Sequence, residues 1–582
     1  MSFKNILKDL NISKNDYFYL FVLTVFSILI SYYLIDFNEN IGIYCSDVFI
    51  YLTNSLVFAG YGSSRVYLYL SPIICILTSA LFRLGFLTEI SIYIVTAFFA
   101  ILGNIGLYVF LRNRFSSLLS LCGAILFGSF SLTLLWWANG TLDVPAVALS
   151  IWALVFIVLA IDTDSKYYLL AIPILVLAIF TRYTALFLLP LIFLYYLSLH
   201  DFFGNLELLA LNRSEFVAKL KNYIKSDEFK NILKSFALAI VLILLFSATI
   251  IASGSHLSFL TQSSTFASGS KGEVVDSAYT NDTFYYIHEF PNFLFADHVV
   301  FDGVNPILIG SSAVSYLLIA LFALGLVLAA FKLMKVKRKE DLGNQLKKKG
   351  SIKIFRYFVC VLFVFLLILA ILSFKINSII TLSILLVDFV ILFSFLRKNN
   401  VGREEYALNI FMLAWFLIYF IFFTFLNIKV NRYIITVFPA FIYFAILAID
   451  EILSYFKSRE FLQFKDRNIL NIIPIILIAF CIFSAFAFPS TVHYNEDFNK
   501  NKVIAEYLMD YDSDYNLKEI AVYNQRSLNW YLKDDTVALT DEQLDYLEAS
   551  NITYYISDDN FKLENYTMIY DNDGLYLYER IT

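Results

Sequence analysis

The sequence carries little charge for its length. Only 16% of its 582 residues are Asp, Glu, Lys or Arg, whereas 59% are hydrophobic and 18% are aromatic. Soluble globular chains are about 45–50% apolar and about 25% charged, so this composition excludes a water-soluble globular protein. It predicts a polytopic α-helical membrane protein, in which the repeating unit is a helix of about 20 apolar residues.

Cysteine is also scarce, and the few cysteines are scattered. They lie mostly inside apolar runs and show no paired spacing, so neither a disulfide framework nor a cysteine zinc site is expected. Nothing in this pattern points to redox chemistry. The five are Cys45, Cys75, Cys122, Cys360 and Cys481.

About thirteen apolar runs have the length of membrane-spanning helices. The first lacks a small-residue cleavage site, so we expect a retained span rather than a signal peptide. A further stretch at 66–87 is interrupted by Ser71-Pro72 and carries Arg83, and we expect it to lie along the outer surface. The thirteen runs are 17–35, 91–111, 116–137, 143–161, 167–181, 184–199, 235–252, 306–331, 355–374, 378–396, 406–426, 432–449 and 469–488.

Positive charge gathers on one side of this plan. With 66–87 kept outside, 29 of the 43 Lys and Arg fall in segments that are predicted to be cytoplasmic. Because cytoplasmic loops carry the excess of Lys and Arg, the amino terminus (1–16) is expected in the cytoplasm and the carboxyl terminus outside the cell membrane. The membrane domain then covers 17–488, with external loops at 36–90 and 253–305.

The composition changes abruptly after Pro489. Residues 490–582 hold 19 Asp or Glu against 7 Lys or Arg, and helical patches alternate with strand-like runs at 520–524, 552–557 and 574–580. This pattern predicts a small acidic α/β domain at 489–582, on the extracytoplasmic side.

Two carboxylates stand out, because ionisable residues close to a bilayer are costly and often mark sites. Asp47 begins an aromatic, amphipathic segment at 44–62, where partial desolvation would raise its pKa and make it a better proton acceptor. Asp143, with Pro145 behind it, opens the fourth span from the same predicted side. An ordinary helix cap is the alternative interpretation of each acid.

Three cations lie on the same predicted side. Arg182 separates two short spans within 178–190, and Lys429 and Arg432 stand at the outer end of the span that begins near 432, with Tyr433 next in the chain. Outer cations run against the positive-inside trend, and they suit an anion such as a lipid phosphate. Snorkelling toward lipid head groups is the alternative.

These segments, in this order and on one side of the membrane, resemble the GT-C superfamily of polyprenyl-phosphate-sugar glycosyltransferases. The most similar branch contains the protein O-mannosyltransferases and the lipid A aminoarabinose transferases. The resemblance covers about residues 17–449 and includes an acid in the first external loop, Asp47. Its other motifs are Ser71-Pro72, RNRF at 112–115, TLDVP at 141–145, TRYT at 181–184 and NRYIITVFP at 431–439.

The resemblance implies an inverting transferase that moves a sugar from a polyprenyl or dolichyl phosphate donor to an acceptor hydroxyl at the outer face. It implies that Asp47 is the general base and that Asp143 orients the acceptor or a basic partner. The acceptor is a protein, a lipid or a glycan, and no nucleic acid is expected as a partner. The residues implied at the donor phosphate are Arg182, Lys429, Arg432 and Tyr433.

The sequence departs from the family in two places. Val48 follows Asp47 where the O-mannosyltransferase branch commonly has a second acid. No Asp-x-Asp occurs in the predicted outer part of the membrane core, so a catalytic divalent metal is not expected, although the family contains metal-dependent members.

The loop at 253–305 is long for a connection between helices. It is rich in Ser, Gly and Thr, and we expect a mobile lid over the outer cavity, with 285–295 as its apolar, membrane-facing part. His288 or Glu289 would then enter the site, and plain surface residues are the alternative.

A transporter, or a lipid or polysaccharide flippase, is the competing interpretation of the whole chain. Such proteins also have about a dozen spans, but they usually place polar groups near the bilayer midplane. Asp388 is the clear exception in a midplane that is otherwise nearly free of charge. The gathering of charged groups at one surface favours an interfacial enzyme.

Overall fold

The structure is a computed structural model of the chain. All structural statements concern the part of the chain that it describes, with the bounds given next. These are residues 9–10, 12–61, 72–200, 202, 213–252, 282–302, 305–334, 349–374, 376–394, 396, 403–426, 428–458, 471–494, 498–540, 543–572 and 574–581.

Helices dominate, as the composition predicts. Several are followed or preceded by a single 3₁₀ turn, notably Tyr183–Phe187 before α9 and Asn431–Val437 before α18. In chain order the helices are α1 (Lys14–Ile41), α2 (Ser46–Ala59), α3 (Ile73–Arg83), α4 (Ile90–Arg112), α5 (Ser117–Phe127), α6 (Ser131–Leu135), α7 (Asp143–Asp162), α8 (Tyr168–Thr181), α9 (Leu188–Leu199), α10 (Arg213–Lys225), α11 (Asp227–Ala252), α12 (Tyr285–His288), α13 (Phe290–Leu294), α14 (Ala313–Met334), α15 (Lys349–Ser373), α16 (Ser378–Ser394), α17 (Arg403–Phe425), α18 (Phe438–Ser458), α19 (Ile472–Ala487), α20 (Lys500–Tyr511), α21 (Gln525–Leu532) and α22 (Leu544–Ala549).

The protein is a multi-pass membrane protein. Within the described ranges, eight helices are long and apolar enough to cross a bilayer: α1, α4, α7, α11, α14, α17, α18 and α19. The five remaining predicted spans coincide with the shorter apolar helices α5, α8, α9, α15 and α16. The helical membrane fold is thus confirmed, while the count of thirteen spans stays a prediction.

Two of the predicted spans were wrong as continuous helices. In 116–137, α5 ends at Phe127, and a break before α6 is followed by a buried loop that contains Gly140 with φ +88°. In 306–331, the first residues form a strand, and the helix begins only at Ala313. Apolar composition alone does not distinguish a spanning helix from an apolar loop or strand that is buried in protein.

The stretch at 66–87 contains a helix that is too short to span. Helix α3 has 11 residues, which gives a length of about 16 Å, roughly half of the hydrocarbon core. It packs against α2, and its Arg83 donates to the carbonyl of Phe58 over 2.6 Å. Residues 66–71 lie outside the described part.

Two small sheets flank the helices. Strands β1 and β2 form an antiparallel hairpin, and β3 pairs parallel with β1. The second sheet, with strand order β5-β4-β6-β8-β7, forms the core of the carboxyl-terminal α/β domain. The strands are β1 (Ala296–Asp302), β2 (Asn305–Ser311), β3 (Val492–Tyr494), β4 (Ile520–Val522), β5 (Val537–Ala538), β6 (Tyr554–Ser557), β7 (Tyr566–Asn572) and β8 (Leu575–Arg580).

The carboxyl-terminal domain rests on the surface helices of the membrane domain. Its Trp530 stacks on Phe82 of α3 with ring centroids 5.7 Å apart, and Tyr531 meets Phe49 of α2 edge-on at 5.6 Å. The indole of Trp530 also donates to Glu89, which precedes α4, over 3.1 Å. The domain therefore lies at the end of the bundle where α4 begins.

The other end of the bundle carries two ion pairs, of which only Asp16 is fully buried. Helix α4 has 23 residues, about 35 Å in length, and ends at Arg112, whose Nε lies 2.8 Å from Oδ1 of Asp16. Nearby, Lys332 at the end of α14 pairs with Glu451. Arg112 and Lys332, two described residues at the edges of predicted cytoplasmic segments, thus lie at the end remote from the carboxyl-terminal domain.

Candidate active site

Four charged side chains converge at the end of the bundle that faces the carboxyl-terminal domain. Asp47 lies in the first turn of α2, Asp143 in the first turn of α7, Arg182 directly after α8, and Arg432 in the 3₁₀ turn before α18. Each therefore stands where a helix begins or ends, at the boundary between an apolar helix and the polar cluster.

Arg432 is the centre of this cluster. Its guanidinium donates to the carboxylate of Asp47 and, over 2.8 Å, to Sγ of Cys45. Its Nε lies 3.5 Å from Oδ2 of Asp143, whose other oxygen accepts from Arg182. Two carboxylates and two guanidinium groups thus form one chain of ion pairs, Asp47–Arg432–Asp143–Arg182, with no net charge.

Burial is uneven along this chain of ion pairs. The side chain of Asp143 is 1% exposed, Arg432 is 11% exposed and Arg182 is 16% exposed, whereas Asp47 is 33% exposed. Removing one partner of a buried ion pair leaves an uncompensated charge in a medium of low dielectric constant, which costs several kcal/mol. Asp143 therefore holds the two arginines in place, and Asp47 is the carboxylate that an incoming molecule reaches first.

Aromatic rings fix the planes of both guanidinium groups. The Cζ of Arg182 lies 4.5 Å from the ring centre of Tyr433, and the Cζ of Arg432 lies 5.5 Å from that of Trp136. Trp136 is held in turn by a 3.1 Å hydrogen bond from its Nε1 to Oδ1 of Asn431. Such cation–π contacts lie on the faces of the guanidinium groups, whose N–H edges meet the carboxylates of Asp47 and Asp143.

The loop before α7 is shaped by glycine and asparagine. Gly140 has φ +88°, and a Cβ there would lie 2.7 Å from Val48, the neighbour of Asp47. Asn139 accepts from the backbone and the hydroxyl of Thr141 at 3.1 and 2.8 Å, and it donates to the hydroxyl of Tyr44. The close approach of this loop to α2 brings Asp143 to Asp47.

Burial also raises the pKa of two groups beside the cluster. It raises the pKa of the Cys45 thiol, although Arg432 opposes that shift, and it raises the pKa of the Tyr44 phenol. Both groups are therefore neutral at physiological pH, and Cys45 meets Arg432 as a thiol. The ion pairs of the arginines are made with Asp47 and Asp143.

The comparisons with known proteins agree with this architecture. A family model described as dolichyl-phosphate-mannose-protein mannosyltransferase matches residues 70–205, which include Asp143 and Arg182. The apo structure of ArnT from Cupriavidus metallidurans is similar with a TM-score of 0.54 at 11% identity, covering 96% of this chain and 97% of ArnT. The structure of the same ArnT bound to undecaprenyl phosphate gives a TM-score of 0.53 with the same identity and coverage.

The archaeal oligosaccharyltransferase AglB from Archaeoglobus fulgidus, in complex with an inhibitory peptide and a dolichol-phosphate, is also similar. Its TM-score is 0.50 at 11% identity, over 94% of this chain and 70% of AglB. Both ArnT and AglB are GT-C glycosyltransferases. The chain has the GT-C fold. The fold implied by the resemblance seen in the sequence is thereby confirmed, although no curated protein sequence matches this chain significantly.

Lys429 does not join the cluster around Arg432. Its ammonium donates to the carbonyls of Phe423, Thr424 and Leu426, and so caps the carboxyl end of α17. The side chain is buried, and burial lowers its pKa to about 8, against the opposing effect of Asp282. The prediction that Lys429 binds phosphate is therefore replaced by a structural role, because its donors are already used.

His288 and Glu289 also stay outside the cluster. Exposed His288 lies 2.8 Å from Asp282, and Glu289 accepts from Asn292 over 2.7 Å. The apolar part of the predicted lid, 285–295, is not a free flap, since Tyr286 is buried and donates to the carbonyl of Val430 over 2.7 Å. The polar part of that loop, 253–281, lies outside the described residues.

Sequence reasoning missed three residues of this cluster: Cys45, Trp136 and Asn431. Trp136 stands in the same short segment as Asp143, and Asn431 directly precedes Arg432, so their positions in the chain offered a weak signal. Nothing in the sequence indicated that Cys45 would accept a hydrogen bond from Arg432.

Within the ranges that the structure describes, no group of three or more His, Cys, Asp or Glu lies close enough together to hold a metal ion. In the cluster around Arg432, both carboxylates face guanidinium groups.

Proposed function

We propose that the protein is a membrane glycosyltransferase that moves a sugar from a polyprenyl or dolichyl monophosphate to an acceptor hydroxyl. The observation that carries the proposal is the position of Arg432, which contacts a partly exposed carboxylate on one side and a buried one on the other. Such an arrangement places a proton acceptor next to a site for an oxyanion.

The two arginines suit the leaving phosphate. As the bond between C1 of the sugar and the phosphate oxygen breaks, negative charge grows on that oxygen, and fixed guanidinium groups stabilise it without reorganisation. Arg182 and Arg432 are fixed by Asp143 and by the rings of Tyr433 and Trp136.

Asp47 suits the general base. In one displacement, the acceptor oxygen forms a bond to C1, its proton passes to the Asp47 carboxylate, and the polyprenyl phosphate leaves with the electrons of the broken bond. Attack from the side opposite the leaving group inverts C1. Asp47 is the most exposed member of the cluster, as a base that meets the acceptor requires.

The location of the cluster favours this function over transport. Its members lie at helix ends on one face of the bundle, whereas transport usually depends on polar groups and broken helices near the midplane. Buried Asp388 in α16 stands apart from the cluster, and it is the residue that a transport mechanism would use.

The proposal also covers the class of acceptor and the side of the membrane on which the reaction takes place. A protein, a lipid or a glycan supplies the hydroxyl, and the reaction takes place on the extracytoplasmic face, where the positive-inside rule puts the cluster and the carboxyl-terminal domain. The family match to dolichyl-phosphate-mannose-protein mannosyltransferase supports a lipid-phosphate donor.

The deciding experiment is sugar transfer from polyprenyl-phosphate donors by membranes with equal amounts of each variant. We expect Asp47→Asn to abolish transfer while the protein remains folded. Glu39→Gln, which removes an exposed carboxylate at the end of α1, is the matched control and should transfer like the wild type. Equal transfer by Asp47→Asn and the wild type would exclude Asp47 as the base.

A further inference from the structure

An apolar cavity lies at the end of the bundle remote from Asp47. It has a volume of about 440 Å³ and opens between α8, α9, α10 and α11. Its wall is almost wholly apolar, with aliphatic and phenyl side chains that include Ile172, Leu175, Ile192, Phe193 and Phe236. No step of the proposed transfer reaction uses it.

The cavity has the depth of one lipid leaflet. Along α9 its lining runs from His200 to Leu189, a rise of about 16 Å at about 1.5 Å per residue. Half of the hydrocarbon core of a bilayer is about 15 Å. The space therefore matches an extended acyl chain that enters from the membrane surface.

Polar side chains stand only at the surface end of the cavity. His200 Nε2 lies 2.8 Å from Oε1 of Glu228, which also accepts from the hydroxyl of Tyr168 over 3.3 Å. Lys219 lines the same end and is 48% exposed, with Glu215 on its own helix 3.3 Å away. Polar side chains at the mouth of an apolar cavity match the polar head group and the acyl chain of a lipid.

The charge around this end favours an anionic head group. Residues 213–234 contain six Lys or Arg against three Asp or Glu. Helix α10 combines these charges with exposed Val217, Leu220 and Ile224, the pattern of a helix that lies in the membrane interface. Basic segments at this depth attract anionic lipids, by about 1 kcal/mol per cation at the membrane surface.

The geometry points to a lipid site apart from the transfer site, in which the cavity between α8 and α11 holds one acyl chain of an anionic glycerophospholipid and Lys219 meets its phosphate. The occupant is a lipid of the leaflet opposite the transfer site, so it is neither the donor nor the acceptor of the proposed reaction. The site fills the gap between α9 and α11 and ties α10 to the bundle.

Cavity-filling variants test the site. The full-length protein is reconstituted with equal phosphatidylglycerol and phosphatidylethanolamine plus a trace of undecaprenyl phosphate, and the retained lipids are measured by native mass spectrometry. We expect the wild type to retain one phosphatidylglycerol, and Ile172→Trp to lose it at least fivefold. Leu170→Trp, on the exposed face of the same helix, is the matched control and should retain the lipid.

Head-group recognition is tested separately with Lys219→Glu against Lys221→Glu. Both reverse an exposed charge on α10, but only Lys219 lines the cavity, so only Lys219→Glu should abolish the preference for phosphatidylglycerol over phosphatidylethanolamine.

Three results would overturn the proposal. One is equal retention of phosphatidylglycerol by Ile172→Trp, Leu170→Trp and the wild type. Another is equal retention of the two phospholipids by the wild type. The third is loss of undecaprenyl phosphate rather than phospholipid in Ile172→Trp, which would make the cavity part of the donor path. Thermal unfolding of both tryptophan variants checks that they fold.

Discussion

Arg432 and Asp143 lie side by side, with Nε of the arginine 3.5 Å from Oδ2 of the aspartate. They come from distant parts of the chain, because Asp143 begins α7 and Arg432 precedes α18. Each residue has one further partner of opposite charge among the described residues. Arg432 also pairs with Asp47, and Asp143 also pairs with Arg182. The pair therefore joins two distant parts of the chain into one site.

The uneven burial of the two carboxylates predicts different stability effects. Asp143→Asn leaves two largely buried arginines short of a counter-charge, so we expect the free energy of unfolding to fall by about 3–5 kcal/mol. Asp47→Asn should lower it clearly less, because Asp47 is 33% exposed and Arg432 keeps Asp143. Unfolding of both variants in the same detergent measures the difference. Equal losses would contradict the view that Asp143 is the structural carboxylate.

The contact between the ring of Tyr433 and Arg182 predicts that two substitutions of Tyr433 change kcat/KM for the donor to different extents. Tyr433→Leu removes the face over which Arg182 lies, a cation–π contact of about 0.5–2 kcal/mol, so kcat/KM for the donor should fall by roughly 2-fold to 30-fold. Tyr433→Phe keeps the ring and is the control, with a change below about 2-fold. The measurement is the initial rate of transfer against donor concentration. If Tyr433→Phe fell as far as Tyr433→Leu, the hydroxyl rather than the ring would matter.

The sequence placed the four charged residues of the cluster together for a simple physical reason. Asp47, Asp143, Arg182 and Arg432 each stand at the outer end of an apolar run, so a correct order of spans brings them to one face. Hydropathy and the positive-inside rule were enough for that step.

The side-chain contacts within that face could not be predicted from the sequence. Lys429 lies three residues before Arg432, yet it caps α17, because α17 ends at Phe425 and its last carbonyls point at the ammonium. Trp136 meets Arg432 only because a buried loop replaces the end of a predicted span. Both outcomes depend on where helices end, which apolar periodicity does not fix to within a residue or two.

The lowered pKa of Lys429 predicts a pH dependence of stability. The pKa is about 8 in the folded protein against 10.5 for a free lysine, so the unfolded chain binds more protons between these values. The contribution of Lys429 to the free energy of unfolding therefore rises with pH from about 8 to about 10.5, by up to about 1.4 kcal/mol per pH unit. Below pH 8 the cost of burying the charge is fully present.

Unfolding at pH 7.5 and pH 9.5 checks this prediction. The wild type should gain stability relative to Lys429→Met as the pH rises, because the variant has no proton to release. Lys221→Met, which removes an exposed lysine of α10, is the control and should show no such change relative to the wild type. A difference between the wild type and Lys429→Met that does not vary with pH would contradict a lowered pKa.

The two ends of the bundle predict opposite sides of the membrane for two exposed positions. Leu517 in the carboxyl-terminal domain is 83% exposed at the end that carries the Asp47 cluster, whereas exposed Lys221 lies on α10 at the other end. The excess of Lys and Arg at the latter end predicts that it faces the cytoplasm. In a background without the exposed Cys360, a membrane-impermeant maleimide should label Leu517→Cys in intact cells and Lys221→Cys only after lysis. The reverse pattern would invert the topology and place the transfer site in the cytoplasm. Labelling of both positions in intact cells would mean that the two ends of the bundle do not lie on opposite sides.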